Sequence, residues 1–208
     1  MTLASILKVY KHGTLTKERL DMEELVRNRL KESADIKLKL DAGIIVKIAD
    51  ALIETYKKGG KVILFGNGGS AADAQHIAAE LVGKYKMVRK PLPAIAFTTN
   101  TSILTACAND YGYETVFAKQ VMALVEKNDL VIGISTSGSS PNVLEGIKAA
   151  KEKGAFTVGF TGEEGSELGK SVDICLVVPS KDTPRIQESH ITAGHIICFL
   201  VEKAIFGE

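Results

Sequence analysis

Five short apolar runs mark the chain from residue 61 onward, at 61–65, 93–97, 129–134, 155–160 and 173–178. Within each run the apolar residues follow one another, as Val62, Ile63, Leu64 and Phe65 do, instead of alternating with polar ones. Continuous runs of this length predict strands of a parallel sheet covered on both faces. Between them, helical spacing predicts helices over 70–85, 113–126, 141–153 and 184–206. Strands alternating with helices through short loops predict a doubly wound α/β sheet of five parallel strands.

The region ahead of the first strand, 16–58, has helical spacing and no strand candidate. Leu20, Leu25, Val26 and Leu30 recur at roughly helical intervals, and Ile44, Ile45, Ile48, Leu52 and Tyr56 form a clearer stripe. One or two helices fit, packed either on the sheet or on another subunit. Gly59 and Gly60 close the region as a helix C-terminus should. The expected organisation is a helical segment, 1–58, serving oligomer packing, followed by the α/β unit, 59–208, in one compact whole of domain size.

Composition narrows the function classes. With 26 basic against 25 acidic residues the net charge is +1, which leaves no electrostatic footprint for nucleic acid or an anionic membrane. The short basic cluster Lys84, Lys86, Arg89 and Lys90 reads as a solvated loop. Cys107, Cys175 and Cys198 are odd in number and widely spaced; without a CxxC pair they read as reduced, mostly buried thiols of a reducing compartment. Residues 1–10 lack the apolar core of a signal peptide, and no apolar run approaches the ~20 residues of a membrane span. A cytoplasmic location is the expectation.

In open parallel sheets ligands bind beyond the carboxyl ends of the strands, so the loops there should carry the chemistry. The first runs Gly66, Asn67, Gly68, Gly69, Ser70, Ala71, Ala72, Asp73. Its glycines permit positive φ and close backbone approach to a ligand, and the next helix offers free N–H groups to an anion. A dinucleotide fingerprint would also fit G-x-G-x-x-A, but it needs an acidic residue ending the second strand, where Thr98, Thr99, Asn100 and Thr101 stand. The second loop places Ser135, Thr136, Ser137, Ser139 and Ser140 ahead of Pro141 and Asn142. Hydroxyls at the mouth of a helix suit phosphate oxygens without a lysine, whereas a cap needs only one of them. No P-loop motif occurs in the chain.

His76 and Glu80 lie four apart on the helix opened by the first loop and share a face. The last helix carries Gln187, His190 and His195. Two imidazole nitrogens, a carboxylate and an amide oxygen suit zinc with an open position. Spacing alone leaves the alternatives of a solvated His–Glu face and a satisfied late histidine.

Together, Gly66 to Glu80, Ile134 to Asn142 and Arg185 to His195 resemble the sedoheptulose-7-phosphate isomerases (phosphoheptose isomerases) of the SIS, or sugar isomerase, domain superfamily. The resemblance runs from the N-terminal helices to the C-terminus, leaving out the stretch to about Leu20. It implies a flavodoxin-like three-layer sandwich, a five-stranded SIS domain with N-terminal helices, in a homotetramer with active sites between subunits. It implies conversion of sedoheptulose 7-phosphate into D-glycero-D-manno-heptose 7-phosphate, the first step towards activated heptose for surface glycans. By the same resemblance His76, Glu80, Gln187 and His195 are the zinc ligands, with one zinc per subunit. Ser135, Thr136, Ser137 and Ser140 meet the phosphate; Asn67, Gly68, Gly69, Asn109 and Asp110 contact the sugar. Glu80 is the base and His195 the acid of an enediol reaction, with Glu80 and Gln187 also touching substrate. A full-time ligand is not a free acid or base, so ligation is labile in turnover or one role is smaller. The alternatives are a non-catalytic SIS protein that associates with the replication initiator, a sugar-phosphate-sensing regulatory module, and an isomerase of another phosphosugar.

Overall fold

The computed structural model describes residues 17–162 and 166–207; the expectation for residues 1–10 lies outside these. Five strands form one sheet: β1 (Val62–Gly66), β2 (Ala94–Ala96), β3 (Leu130–Ile134), β4 (Phe156–Thr161) and β5 (Ile174–Val177). Every neighbouring pair is parallel, in the order β2-β1-β3-β4-β5, which is the flavodoxin-like winding. The register runs Ala94–Val62–Leu130–Phe156, with Val158 opposite Ile174.

Because side chains alternate across a strand, each continuous apolar run supplies two cores at once. Val62 and Leu64 of β1 face one layer, with Leu130, Ile132, Val158, Phe160 and Leu176. Ile63 and Phe65 face the other, with Val131. The first layer is covered by α2 (Ala42–Lys57), α3 (Gly69–Val82) and α8 (Thr183–Phe206), through Ile48, Leu52, Ile77, Leu81, Ala193, Ile197 and Val201. The second is covered by α5 (Val116–Leu124), α6 (Pro141–Glu152) and the short α7 (Glu167–Ser171), where the Phe117 ring stacks on Phe65 at 4.8 Å.

The two N-terminal helices differ in how they pack. Helix α2, capped by Asp41 bonding the Gly43 and Ile44 amides, packs its stripe into the core. Helix α1 (Lys17–Lys37) is tied to α8 by polar bonds, Ser33 Oγ to Glu188 at 2.6 Å and Arg185 to the Arg29 carbonyl at 2.9 Å. Its Leu20, Met22, Leu25, Val26 and Leu30 stay exposed.

Several boundaries and environments differ from the sequence reading. Residues 101–111, unassigned there, form α4 (Thr101–Tyr111), with the Asn100 side chain accepting from the Ile103 amide as an N-cap. The helix predicted over 70–85 stops at Val82, and Tyr85 follows in an irregular segment. Arg89 of that segment is not solvated: its side chain is 3% exposed and pairs with buried Glu202 of α8 at 3.0 Å. The charge pattern of Lys84, Lys86 and Lys90 hides this, because those three side chains are exposed and the acidic partner lies far along the chain. Helix α8 is long and apolar enough by composition to cross a bilayer, although polar residues such as Gln187, Glu188 and His190 interrupt its apolar positions. In this fold it is a core helix, burying Ile186, Ala193, Ile197, Cys198 and Val201 together with His190 and Glu202.

Candidate active site

The strand order reverses between β1 and β3: the chain leaves β1 for the sheet edge at β2 and returns on the other side. In sheets of this winding, ligands bind beyond the carboxyl ends of the strands at such a reversal, and the loops after β1 and β3 lie there. One reciprocal contact fixes them together. The Asn67 amide donates to Asn142 Oδ1 and the Asn142 amide to Asn67 Oδ1, both at 2.8 Å. Tyr113 adds its hydroxyl to Asn67 Oδ1 at 3.3 Å. Asn142 is buried at the start of α6. The sequence showed it next to the serines, but nothing in its spacing marked it as a partner of a residue 75 positions away.

The glycines of the first loop act as close-approach sites. Gly68 takes φ 54°, a backbone conformation that costs other residues. At Gly69 the volume a Cβ would fill is held by the Gln187 amide, so α8 meets the first turn of α3 directly.

In the second loop the hydroxyls bond to one another and leave the helix uncapped. Ser135 Oγ lies 2.9 Å from Ser140 Oγ and 3.4 Å from Ser137 Oγ, and Ser139 Oγ donates to Ser137 Oγ at 3.1 Å. Ser140 stands at the N-cap of α6 without a side-chain capping bond. Ser135 also accepts from the Gly138 amide at 3.1 Å, holding the loop closed. This is a cradle of hydroxyls beside a helix N-terminus, an arrangement that capping does not require. Thr136 lies in the same loop, its carbonyl taken by the Gly162 amide at 3.1 Å.

His76 and Glu80 share one face of α3, His76 Nε2 being 3.3 Å from Glu80 Oε1. Across from them on α8, His195 Nε2 comes within 3.4 Å of His76 Nε2, the rings meeting edge to face at 4.8 Å. Donor atoms of all three lie within 4.8 Å of one another. Two ligands of a tetrahedral zinc with ~2.05 Å bonds stand about 3.3 Å apart, the separation seen along both measured edges. The donor set therefore fits zinc. The cluster is partly open to solvent, His76 being 49% exposed and Glu80 22%. Tyr85 flanks it, its ring 5.8 Å from that of His195.

Other predicted residues fall outside this cluster. Asn109 and Asp110 are exposed at the end of α4, Asn109 donating to Asp110 at 2.8 Å. His190, on the same helix as His195, is wholly buried, its Nε2 3.2 Å from the Thr161 carbonyl. Burial pushes its pKa down to about 4, against the opposing pull of that carbonyl. Asp73, one turn before His76, has a buried carboxylate oxygen without a hydrogen-bond partner; burial raises its pKa to about 6, with His76 opposing. All three cysteines are free, and burial lifts the Cys175 and Cys198 thiols to about 11 and about 12, which leaves them protonated and inert.

The SIS domain family model matches residues 28–162. Phosphoheptose isomerases from Roseiflexus sp. (strain RS-1) and Aquifex aeolicus (strain VF5) are each 54% identical to this chain over 88% of its length, covering 94% and 98% of their own. The chain belongs to the phosphoheptose isomerases. Among solved structures, phosphoheptose isomerase GmhA from Neisseria gonorrhoeae superposes with a TM-score of 0.82 at 40% identity, over 88% of this chain and 99% of that one. A phosphoheptose isomerase is an enzyme, a sugar-phosphate isomerase, and family membership at this identity sets aside the non-catalytic readings.

Proposed function

We propose that this chain interconverts sedoheptulose 7-phosphate and D-glycero-D-manno-heptose 7-phosphate with a zinc ion held by His76, Glu80, His195 and Gln187. The observation that carries the reading is the convergence of His76, Glu80 and His195 from two helices, with His76 Nε2 3.3 Å from one partner and 3.4 Å from the other. Gln187 enters through its place against Gly69, at the same α3–α8 junction.

The phosphate sits on Ser135, Thr136, Ser137 and Ser140, whose hydroxyls donate to its oxygens beside the N-terminus of α6. Asn67, Gly68 and Gly69 line the path between this loop and the cluster, and Asn109 and Asp110 take the sugar hydroxyls. A proton leaves C1 and returns to C2 through an enediol, while the hydroxyl proton moves from O1 to O2. With their ligation labile in turnover, Glu80 takes and returns the carbon-bound proton and His195 serves the oxygens. Zinc, when bound, polarises the carbonyl and stabilises negative charge on the oxygens.

The exposed apolar positions of α1, with Ile196 and Phe199 of α8, support assembly into a homotetramer in which α1 packs between subunits and covers the half-open site, while α2 belongs to the core of its own subunit. The free, protonated thiols support a cytoplasmic setting, where the product feeds activated heptose for surface glycans. Balanced charge supports no nucleic-acid or membrane partner.

The test is to incubate zinc-loaded protein with sedoheptulose 7-phosphate in deuterated water and follow products by NMR. An aldoheptose phosphate with deuterium at C2 is expected, and its formation should be lost in Glu80→Gln and His195→Ala. Absence of turnover in the zinc-loaded wild type would overturn the substrate assignment.

A further inference from the structure

The two helices that carry the cluster are joined by a buried ion pair outside it. Helix α3 ends at Val82, where the last carbonyls of a helix have no partner within it. Arg89, seven residues on, folds back over that end. Its Nη2 donates to the Glu80 carbonyl and its Nη1 to the Leu81 carbonyl, each at 2.8 Å. Nη1 also reaches the Lys90 carbonyl at 3.1 Å. The remaining donor, Nε, meets Glu202 Oε1 at 3.0 Å. One guanidinium thus ties the backbone of Glu80 itself to a carboxylate on α8.

Glu202 is equally committed. Besides Arg89 it accepts the backbone amides of Tyr85 at 3.2 Å, Lys86 at 2.8 Å and Met87 at 3.0 Å. It lies seven residues after His195, two turns along the same face of α8. The Tyr85 amide held by Glu202 belongs to the residue whose ring packs on His195. Burial alone would raise the Glu202 pKa; the three amides and the guanidinium reverse this and hold it below the ordinary carboxylate value. The pair stays charged although the side chains are only 3% and 2% exposed. A pair this deep is weak evidence for stability, since desolvation offsets most of its attraction. What it sets is geometry.

We propose that Arg89 and Glu202 are positioning residues that fix the spacing of α3 against α8, and so hold His76 and Glu80 within ligand distance of His195. This rests on reading those three side chains as a metal centre, but the juxtaposition it explains exists without the ion. Lysine cannot replace Arg89, because an ammonium on a flexible stem cannot reach two carbonyls and a carboxylate in one fixed fork. Glutamine cannot replace Glu202, because its NH2 would face amide donors.

Arg89→Lys, Glu202→Gln and a control, Val121→Ala in the opposite core layer, are compared for melting temperature and for zinc affinity by chelator competition. The ring-to-ring NOE between His76 and His195 is read in metal-free protein with selectively labelled histidine. The two pair variants are expected to bind zinc roughly tenfold or more weakly, as loss of supporting contacts around metal ligands does, and to lose the NOE. Val121→Ala should lose melting temperature while keeping the NOE and affinity within about twofold. Pair variants that melt earlier yet keep both affinity and NOE would overturn the proposal. If the wild type binds no zinc, the metal reading falls, and the NOE alone decides on the clamp. Arg89→Lys is the milder change and serves if Glu202→Gln does not fold.

Discussion

His190 gives this fold a calculable acid sensitivity. The ring is wholly buried between α8 and β4, beside the Phe160 ring at 5.5 Å, and Nδ1 has no hydrogen-bond partner. Nε2 faces a carbonyl, which only accepts, so Nε2 carries the proton of the neutral ring. Burial pushes the pKa from 6.5 to about 4, the Thr161 carbonyl pulling the other way. The folded state therefore keeps His190 neutral in a pH range where the unfolded chain binds a proton. Stability from this residue is complete above about 6.5 and is lost as pH falls towards about 4, reaching about 3 kcal/mol. Between pH 7.5 and 5.0 the share is about 2 kcal/mol per chain. Urea unfolding of wild type and His190→Gln at fixed protein concentration isolates it. Other groups, Glu202 among them, titrate in both proteins and cancel in the difference. The wild type should lose about 2 kcal/mol more than the variant across that range. Parallel pH profiles, agreeing within ~0.5 kcal/mol, would refute the reasoning, because a group with no differential protonation cannot tilt one curve against the other.

Three further outcomes follow from the site. Ser135→Ala and Ser140→Ala each remove a hydroxyl from the proposed phosphate cradle and should raise KM roughly tenfold or more, the loss of one bond to a charged group, in steady-state assays; an unchanged KM would make the cradle structural. Asn142→Ala leaves Asn67 without its reciprocal amide and should cost about 1–3 kcal/mol by denaturant titration, with kcat falling because the two loops lose their register. Chelation should lower the melting temperature of wild type but not of His76→Ala, and readdition of zinc at 100 times its Kd should restore about 2.7 kcal/mol; equal melting with and without chelator in the wild type would argue against a bound metal.

The sheet was legible because burial on both faces leaves a one-dimensional trace. Val62 to Phe65 reads as a continuous apolar run for the same reason that its residues feed two different cores. The loops were legible as well, since glycines and hydroxyls clustered after strands have few other uses. Helix α4 was missed although Ile103, Leu104, Cys107 and Ala108 have helical spacing. It is only half buried: Leu104, Cys107 and Ala108 merely flank the second core layer. Its apolar stripe is accordingly short, and Asn100 reads as readily as a turn residue as an N-cap.

The harder losses are all contacts between residues far apart in the chain. His76 meets His195 across 119 positions, Asn67 meets Asn142 across 75, and Arg89 meets Glu202 across 113. Periodicity assigns a residue to a face, but it carries no record of which face another helix presents. Family resemblance supplied the first of these pairs and neither of the others. The unsupplied pairs share a property: their members bond chiefly to each other and to neighbouring backbone. Asn67 and Asn142 each donate to the other's Oδ1, and Glu202 spends both oxygens on four donors. Motif reading searches for unsatisfied chemistry, so groups that bond mainly to other parts of the same chain escape it. Of these groups, Arg89 and Glu202 join the end of α3 to α8, the two helices that carry His76, Glu80 and His195.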